Sequence, residues 1–154
     1  MNKNENARMV GQTASVGFQV GVRRTMPISP TQAWMFLTSP EGLKLWLGTV
    51  SFRTFKDGDN FQSNEGITGQ FRVVKPLKQI RLKWQKKGWD KPSTLQIRLI
   101  SDKSDRTTIS FHQENLDQPD KREQMKLYWE DVLTVMREKT SYSANHIKEA
   151  NTYE

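Results

Sequence analysis

Few side chains in this sequence have the type and spacing to do chemistry, and the two histidines are the first to weigh. His112 and His146 stand far apart, and neither sits in a metal-ligand spacing. There is no cysteine, which excludes disulfides, thiolate nucleophiles and zinc sites built on sulfur. No His–carboxylate–nucleophile spacing, no glycine-rich phosphate loop and no metal set is present, so no catalytic residue, cofactor or metal is assigned. A histidine on a late strand, as His112 is, is more often a surface or hydrogen-bonded side chain than a general base. The sharpest single group is Arg24. In VGFQVGVRRTM, Val16, Phe18, Val20, Val22 and Met26 alternate with Gly17, Gln19, Gly21, Arg23 and Thr25, and parity puts Arg24 on the apolar face. An unpaired buried guanidinium is costly, so it calls for a carboxylate or a ligand anion. Glu114 and Glu130 are candidate ion-pair partners. A one-residue bulge near Arg23 would instead turn Arg24 to solvent.

Two larger sets of residues admit two readings each. Trp34, Trp46, Phe52, Phe71, Trp84, Phe111, Trp129 and Met136 either wall a hydrophobic cavity or fill the core. Arg53, Arg72, Arg81, Lys83 and Arg98 share the outer face of a sheet, as a basic patch for nucleic acid or as a solvated face that discourages aggregation. No aromatic residue interleaves with these cations, which favours the solvated face, and nucleic acid is not an expected partner. Trp89 falls in a loop, to contact a partner or fold back over the sheet edge. The net charge is +7 and the isoelectric point about 9.7. That balance suits acidic partners, but Lys and Arg are spread along the chain rather than gathered in a tract.

The elements that must position these groups follow from periodicity and caps. In SPTQAWMFLTSPEGLKLWLG (residues 29–48), Ser29 is an N-cap, Pro30 suits the first helical position and Gln32 completes a capping box. Ser39 and Pro40 repeat the signal, Glu41 sits near the positive helix end, and Gly48 closes the second helix. Two short helices with a break at Thr38–Ser39 are predicted. Between residues 49 and 115, short alternating runs separated by turn signals predict an antiparallel meander with one wet face. Those runs centre on Val50–Thr54, Phe61, Ile67–Val73, Ile80–Trp84, Leu95–Leu99 and Thr107–Phe111. Met125, Tyr128, Trp129, Val132, Leu133 and Met136 form one apolar stripe, predicting a helix over about 120–141 that covers the sheet.

The chain of 154 residues suits one domain and can bury roughly 70% of its unfolded surface. Residues 1–14 are expected to be a flexible lead-in, 15–142 the single domain and 143–154 a polar C-terminal tail. No run of about 18 apolar residues exists, so no membrane insertion is expected. The start, MNKNENARMV, lacks an apolar h-region, and a cytoplasmic protein is the expectation.

This order of elements resembles the helix-grip fold of START-like and Bet v 1-like (birch-pollen-allergen-like) proteins, the SRPBCC superfamily. Residues 29–48 are similar to the motif of the family named after the activator of the 90-kDa heat-shock-protein ATPase, through Pro30, Trp34, Thr38, Pro40, Leu43, Trp46 and Gly48. GQFRVVKPLKQIRLKW resembles the family's next run through Gly69, Pro76, Ile80 and Trp84, and TTISFHQ and YWEDVLTVM its last strand and final helix. Ser29 and Ser39 depart from the family's alanine and aspartate, and FQSNEG is short for its glycine-rich hairpin. The resemblance covers roughly residues 16–140. It implies an α+β fold: a curved antiparallel sheet of six to seven strands wrapped on a long C-terminal helix, with two short helices after the first strand. It also implies non-enzymatic binding of a lipid-like or polycyclic ligand between sheet and helix, with Arg24, Trp34, Trp46, Phe52, Phe71, Trp84, Phe111, Trp129 and Met136 around it. The alternatives are a chaperone-associated or stress-related module with a protein partner and, more weakly, a cyclase-like enzyme.

Overall fold

The computed structural model describes residues 12–13, 17–50 and 55–152, with side chains over 17–50 and 55–141. Strands β1 (Gln12–Thr13) and β2 (Gly17–Met26) are followed by helices α1 (Pro30–Thr38) and α2 (Pro40–Trp46). Then come β3 (Asn60–Gln62), β4 (Thr68–Lys75), β5 (Gln79–Gln85), β6 (Ser93–Lys103), β7 (Arg106–Leu116) and α3 (Pro119–Thr152). They build one antiparallel seven-stranded sheet in the order β1-β2-β7-β6-β5-β4-β3, so the first long strand pairs with the last. The expected strand through Phe52 and Arg53 lies outside the described residues. Gln12–Thr13, expected to belong to a lead-in, pair as a short edge strand with Phe18 and Gly17.

The double helix start is resolved as the serines and prolines require. The Ser29 hydroxyl accepts from Gln32 N–H while the Gln32 side chain accepts from Ser29 N–H, closing the capping box. Ser39, at φ −72° and ψ 159°, is extended and ends α1. Its hydroxyl accepts from Gly42 N–H at 3.1 Å and donates to Phe36 C=O at 2.6 Å, serving both helices at once. The elbow is so tight that a Cβ on Gly42 would lie 1.9 Å from Phe36 O, which only glycine permits. The Trp46 indole then donates to Leu37 C=O at 3.0 Å and pins α2 under α1.

Helix α3 lies mainly along β2 and less along β7, with α2 against it. Its apolar stripe is buried: Met125, Trp129, Val132, Leu133 and Met136 all face inward. The helix runs to Thr152, past the end predicted near residue 141 and through the expected polar tail. No proline or glycine stands between Ser141 and Thr152 to stop it.

Candidate functional site

The cross-strand rows divide the sheet into two faces. On the concave side, Val20, Val22, Arg24 and Met26 of β2 stand opposite Gln113, Phe111, Ile109 and Thr107 of β7. Arg24 therefore keeps its inward parity. The bulge in this pair falls between Phe18 and Val20, with the extra residue in β7 where Asn115 adopts φ 64°, and not near Arg23. Neither proposed carboxylate reaches Arg24. Glu114 is on the opposite face, 3.6 Å from Arg81, and Glu130 offers only its backbone carbonyl to Thr134. Arg24 Nη1 donates to Thr134 Oγ1 of α3, its one hydrogen-bond partner among the described residues, and the side chain stays half-exposed.

Because α3 hugs β2, the far half of the concave face is filled by rings. Trp84 of β5 meets Trp129 of α3 at 5.5 Å between centroids, and Trp129 meets Phe111 at 4.8 Å. Phe71 lies between Phe55 at 4.4 Å and Phe61 at 5.2 Å, with Trp46 edge-on to Phe55 at 6.4 Å. Trp46, Phe71, Trp84, Phe111, Trp129 and Met136 are each 0% exposed. They present no surface to water, outside or within, and so fill the interior rather than wall a space in it. Trp34 is half-buried on α1, and Phe52 lies outside the described residues.

Burying three indoles requires three acceptors. Trp46 has Leu37 C=O, and Trp84 Nε1 donates to Trp46 C=O at 2.9 Å. Trp129 Nε1 donates to Gln113 Oε1 at 2.7 Å, Gln113 Nε2 donates to Ser93 Oγ at 2.8 Å, and Ser93 Oγ donates to Trp84 C=O at 2.6 Å. Among the described residues, no buried side-chain polar atom lacks a partner. Gln113 and Ser93 were missed in the sequence. Their inward parity beside Phe111 and Leu95 was the available signal.

One end of this interior is closed by Trp89 and Tyr128. Trp89 folds back edge-on to Trp84 at 5.4 Å, with Lys121 Nζ 5.0 Å from the Trp89 ring centre. Lys121 also holds the Asp117 carboxylate at 2.7 Å, and this hydrogen bond keeps that carboxyl below its ordinary pKa. The Tyr128 hydroxyl donates to Leu45 C=O at 3.2 Å; burial first, then the charges of Glu65 and Asp131, push its pKa up. The phenol is a hydrogen-bond donor at neutral pH and not a base.

The convex face carries the cations. Val73, Arg81, Gln96, His112 and Gly21 form one cross-strand row, and Gln79, Arg98, Ser110 and Arg23 another. Arg72, Arg81, Lys83 and Arg98 do share this face, while Arg53 lies outside the described residues. Arg72, Val73, Arg81, Lys83 and Thr94 line an open cleft of about 360 Å³. His112 Nε2 sits 3.0 Å from Gln19 Oε1. Among the described residues, no three His, Asp or Glu side chains converge as a metal site, and no helix is long and apolar enough to cross a membrane.

Comparison with known proteins places this geometry. No curated protein matches the chain in sequence. Among solved structures it is similar to DynU16, from the dynemicin biosynthetic locus (18% identity, TM-score 0.66), over 75% of this chain but only 44% of the length of DynU16. It is similar to the Aha1 dimer from Colwellia psychrerythraea (16% identity, TM-score 0.66), covering 79% of this chain and 95% of that one. It is also similar to an HSP90 activator from Plasmodium falciparum (22% identity, TM-score 0.55), covering 64% of this chain and 73% of that one. At these identities the likeness is one of fold, the helix-grip fold expected from the order of elements. The family model described as activator of Hsp90 ATPase homolog 1-like protein matches residues 27–139, from the turn before α1 through the apolar stripe of α3, and the chain belongs to that family.

Proposed function

We propose that the domain works non-enzymatically, as a protein-interaction module that engages a chaperone-class partner through its surface. The observation that carries this is the close packing of five of the rings expected to wall a ligand cavity: Trp46, Phe71, Trp84, Phe111 and Trp129 are each 0% exposed, and Trp129 contacts both Trp84 and Phe111. A module whose three buried indoles are all hydrogen-bonded presents a rigid outside, which lowers the entropic cost of docking a protein. The family's name supplies the partner class, a heat-shock ATPase of the 90-kDa type. We take the cytoplasm as its setting, which a cysteine-free chain suits.

A second reading has one observation in its favour. Arg24 is a cation on the concave face, half-exposed and held only by a hydroxyl, so an anionic apolar ligand entering between β2 and α3 would find a charge-assisted donor there.

Isotope-labelled domain titrated with a purified 90-kDa heat-shock ATPase separates the two. Broadening of surface amides, with a flavonoid-like ring compound leaving the Trp84 and Trp129 indole signals unmoved, is the expected result. No broadening by the chaperone, together with saturable indole shifts by the ring compound, would overturn the module in favour of the carrier.

A further inference from the structure

We infer that the convex face between β4, β5 and β6 docks an acidic, extended segment of a protein partner; this rests on the interaction-module reading above. The face holds like charges close together. Arg81 and Lys83 lie two residues apart on β5, about 7 Å at the rise of an antiparallel strand. Arg72 joins them because β4 carries a bulge: Phe71 pairs with Leu82 and Val73 with Arg81, leaving Arg72 as the extra residue, exposed at the same cleft. Arg98 lies one row away, opposite Gln79.

Among the described residues, one ion pair reaches this group. The cross-strand rows bring in Glu114, 3.6 Å from an Arg81 whose side chain is still 47% exposed. Asp57 is at the edge of β4, its carboxylate accepting from Val74 N–H, and Asp102 lies at the end of β6 by the β6–β7 hairpin. Lys83 Nζ donates to a hydroxyl, Thr94 Oγ1, at 3.1 Å. Clustered like charges on central strands are a standing repulsion, which an anionic partner relieves. Protection of a sheet edge does not account for them, since β5 and β6 each have a neighbour on both sides.

The cleft itself describes the occupant. It is open, about 360 Å³, and has three cations, one hydroxyl and one apolar side chain, Val73. An extended peptide repeats alternate side chains at the spacing of Arg81 and Lys83, so acidic residues at every second position register with them. Nucleic acid fits less well, because the convex rows of β4 to β6 present no aromatic ring on which a base could stack.

The test is fluorescence anisotropy at low salt with a labelled peptide of alternating glutamate and threonine, and separately with a labelled single-stranded oligonucleotide. We compare Arg81→Gln/Lys83→Gln with Lys126→Gln/Arg137→Gln, an equal charge change on exposed positions of α3. Peptide affinity is expected to fall about tenfold or more in the sheet variant and less than about twofold in the helix variant. Equal losses in both variants would reduce the effect to net charge and overturn the site. Tight oligonucleotide binding lost in the sheet variant, with no peptide binding, would overturn the partner class. If chaperone binding persists undiminished in Arg81→Gln/Lys83→Gln, the docking surface is overturned while the module stands; if wild type binds no chaperone, the module itself fails.

Discussion

Along β5 the chain alternates Gln79, Ile80, Arg81, Leu82, Lys83, Trp84, Gln85, and every second residue meets a different world. Ile80, Leu82 and Trp84 are fully buried, while Arg81 stands in water and Gln79, Lys83 and Gln85 are partly covered. The same contrast runs through β7, where Ile109, Phe111 and Gln113 are buried and Ser110, His112 and Glu114 are not. On the concave side, buried polar groups are hydrogen-bonded, Gln113 to an indole and Thr107 to Ile28 C=O. On the convex side, Arg72, Lys83 and Arg98 have no ion-pair partner among the described residues. Burial punishes an unpaired polar group by its desolvation, whereas water screens it, so the two faces differ in which mutations the fold can bear.

Trp129→Ala offers the most severe way to break this contrast. It removes the ring that joins Trp84, Phe111 and Tyr128, and urea unfolding should show a loss of about 3–5 kcal/mol. A loss below about 1 kcal/mol would mean that the interior is not packed as described. Next comes Gln113→Ala, which orphans both the Trp129 N–H and one Ser93 contact. It should cost about 1–3 kcal/mol in the same measurement, against a change within about 0.5 kcal/mol for Gln96→Ala on the other face. Ser39→Ala tests the elbow between α1 and α2. Losing the hydroxyl shared by α1 and α2 should cost about 1 kcal/mol, read as a lower urea midpoint. On the convex face, Arg98→Gln should move stability by no more than about 0.5 kcal/mol.

The smallest effect concerns Glu65, at the turn beside the α2 terminus. Hydrogen bonds from the Thr49 backbone first, then from its hydroxyl, hold the Glu65 carboxyl below its ordinary value of 4.5. A depressed folded-state pKa contributes stability above the ordinary value, and this is lost as pH falls through the folded value. Wild type should therefore exceed Glu65→Gln in urea midpoint at neutral pH, with the gap closing in acid below about pH 4.5. A constant gap across that range would assign the contribution to something other than the ionised carboxylate.

The fold was legible because its signals are local. Ser29-Pro30 and Ser39-Pro40 set two helix starts through capping and φ restriction, which need no tertiary partner. Alternation placed Leu82 inward and Arg81 outward wherever a strand formed. The C-terminal boundary was less legible: a polar run after Ser141 reads as a tail by hydropathy, yet an unbroken helix needs only the absence of a stop. Arg24's face was readable from parity, but its partner was not, since Thr134 lies 110 residues away and carries no charge to mark it.

What the sequence determined by itself, then, is which face each residue would take, where helices begin and end at their capped termini, and which family the pattern resembles. Whether the rings of Trp46, Trp84 and Trp129 would enclose a space or fill it was decided only in three dimensions. That outcome depends on how closely α3 settles on β2 and on whether Gln113, Ser93 and the carbonyls of Leu37 and Trp46 arrive within reach of the indole N–H groups. Periodicity reports direction along a chain, whereas packing is set by distances between chains, which no spacing within one segment encodes.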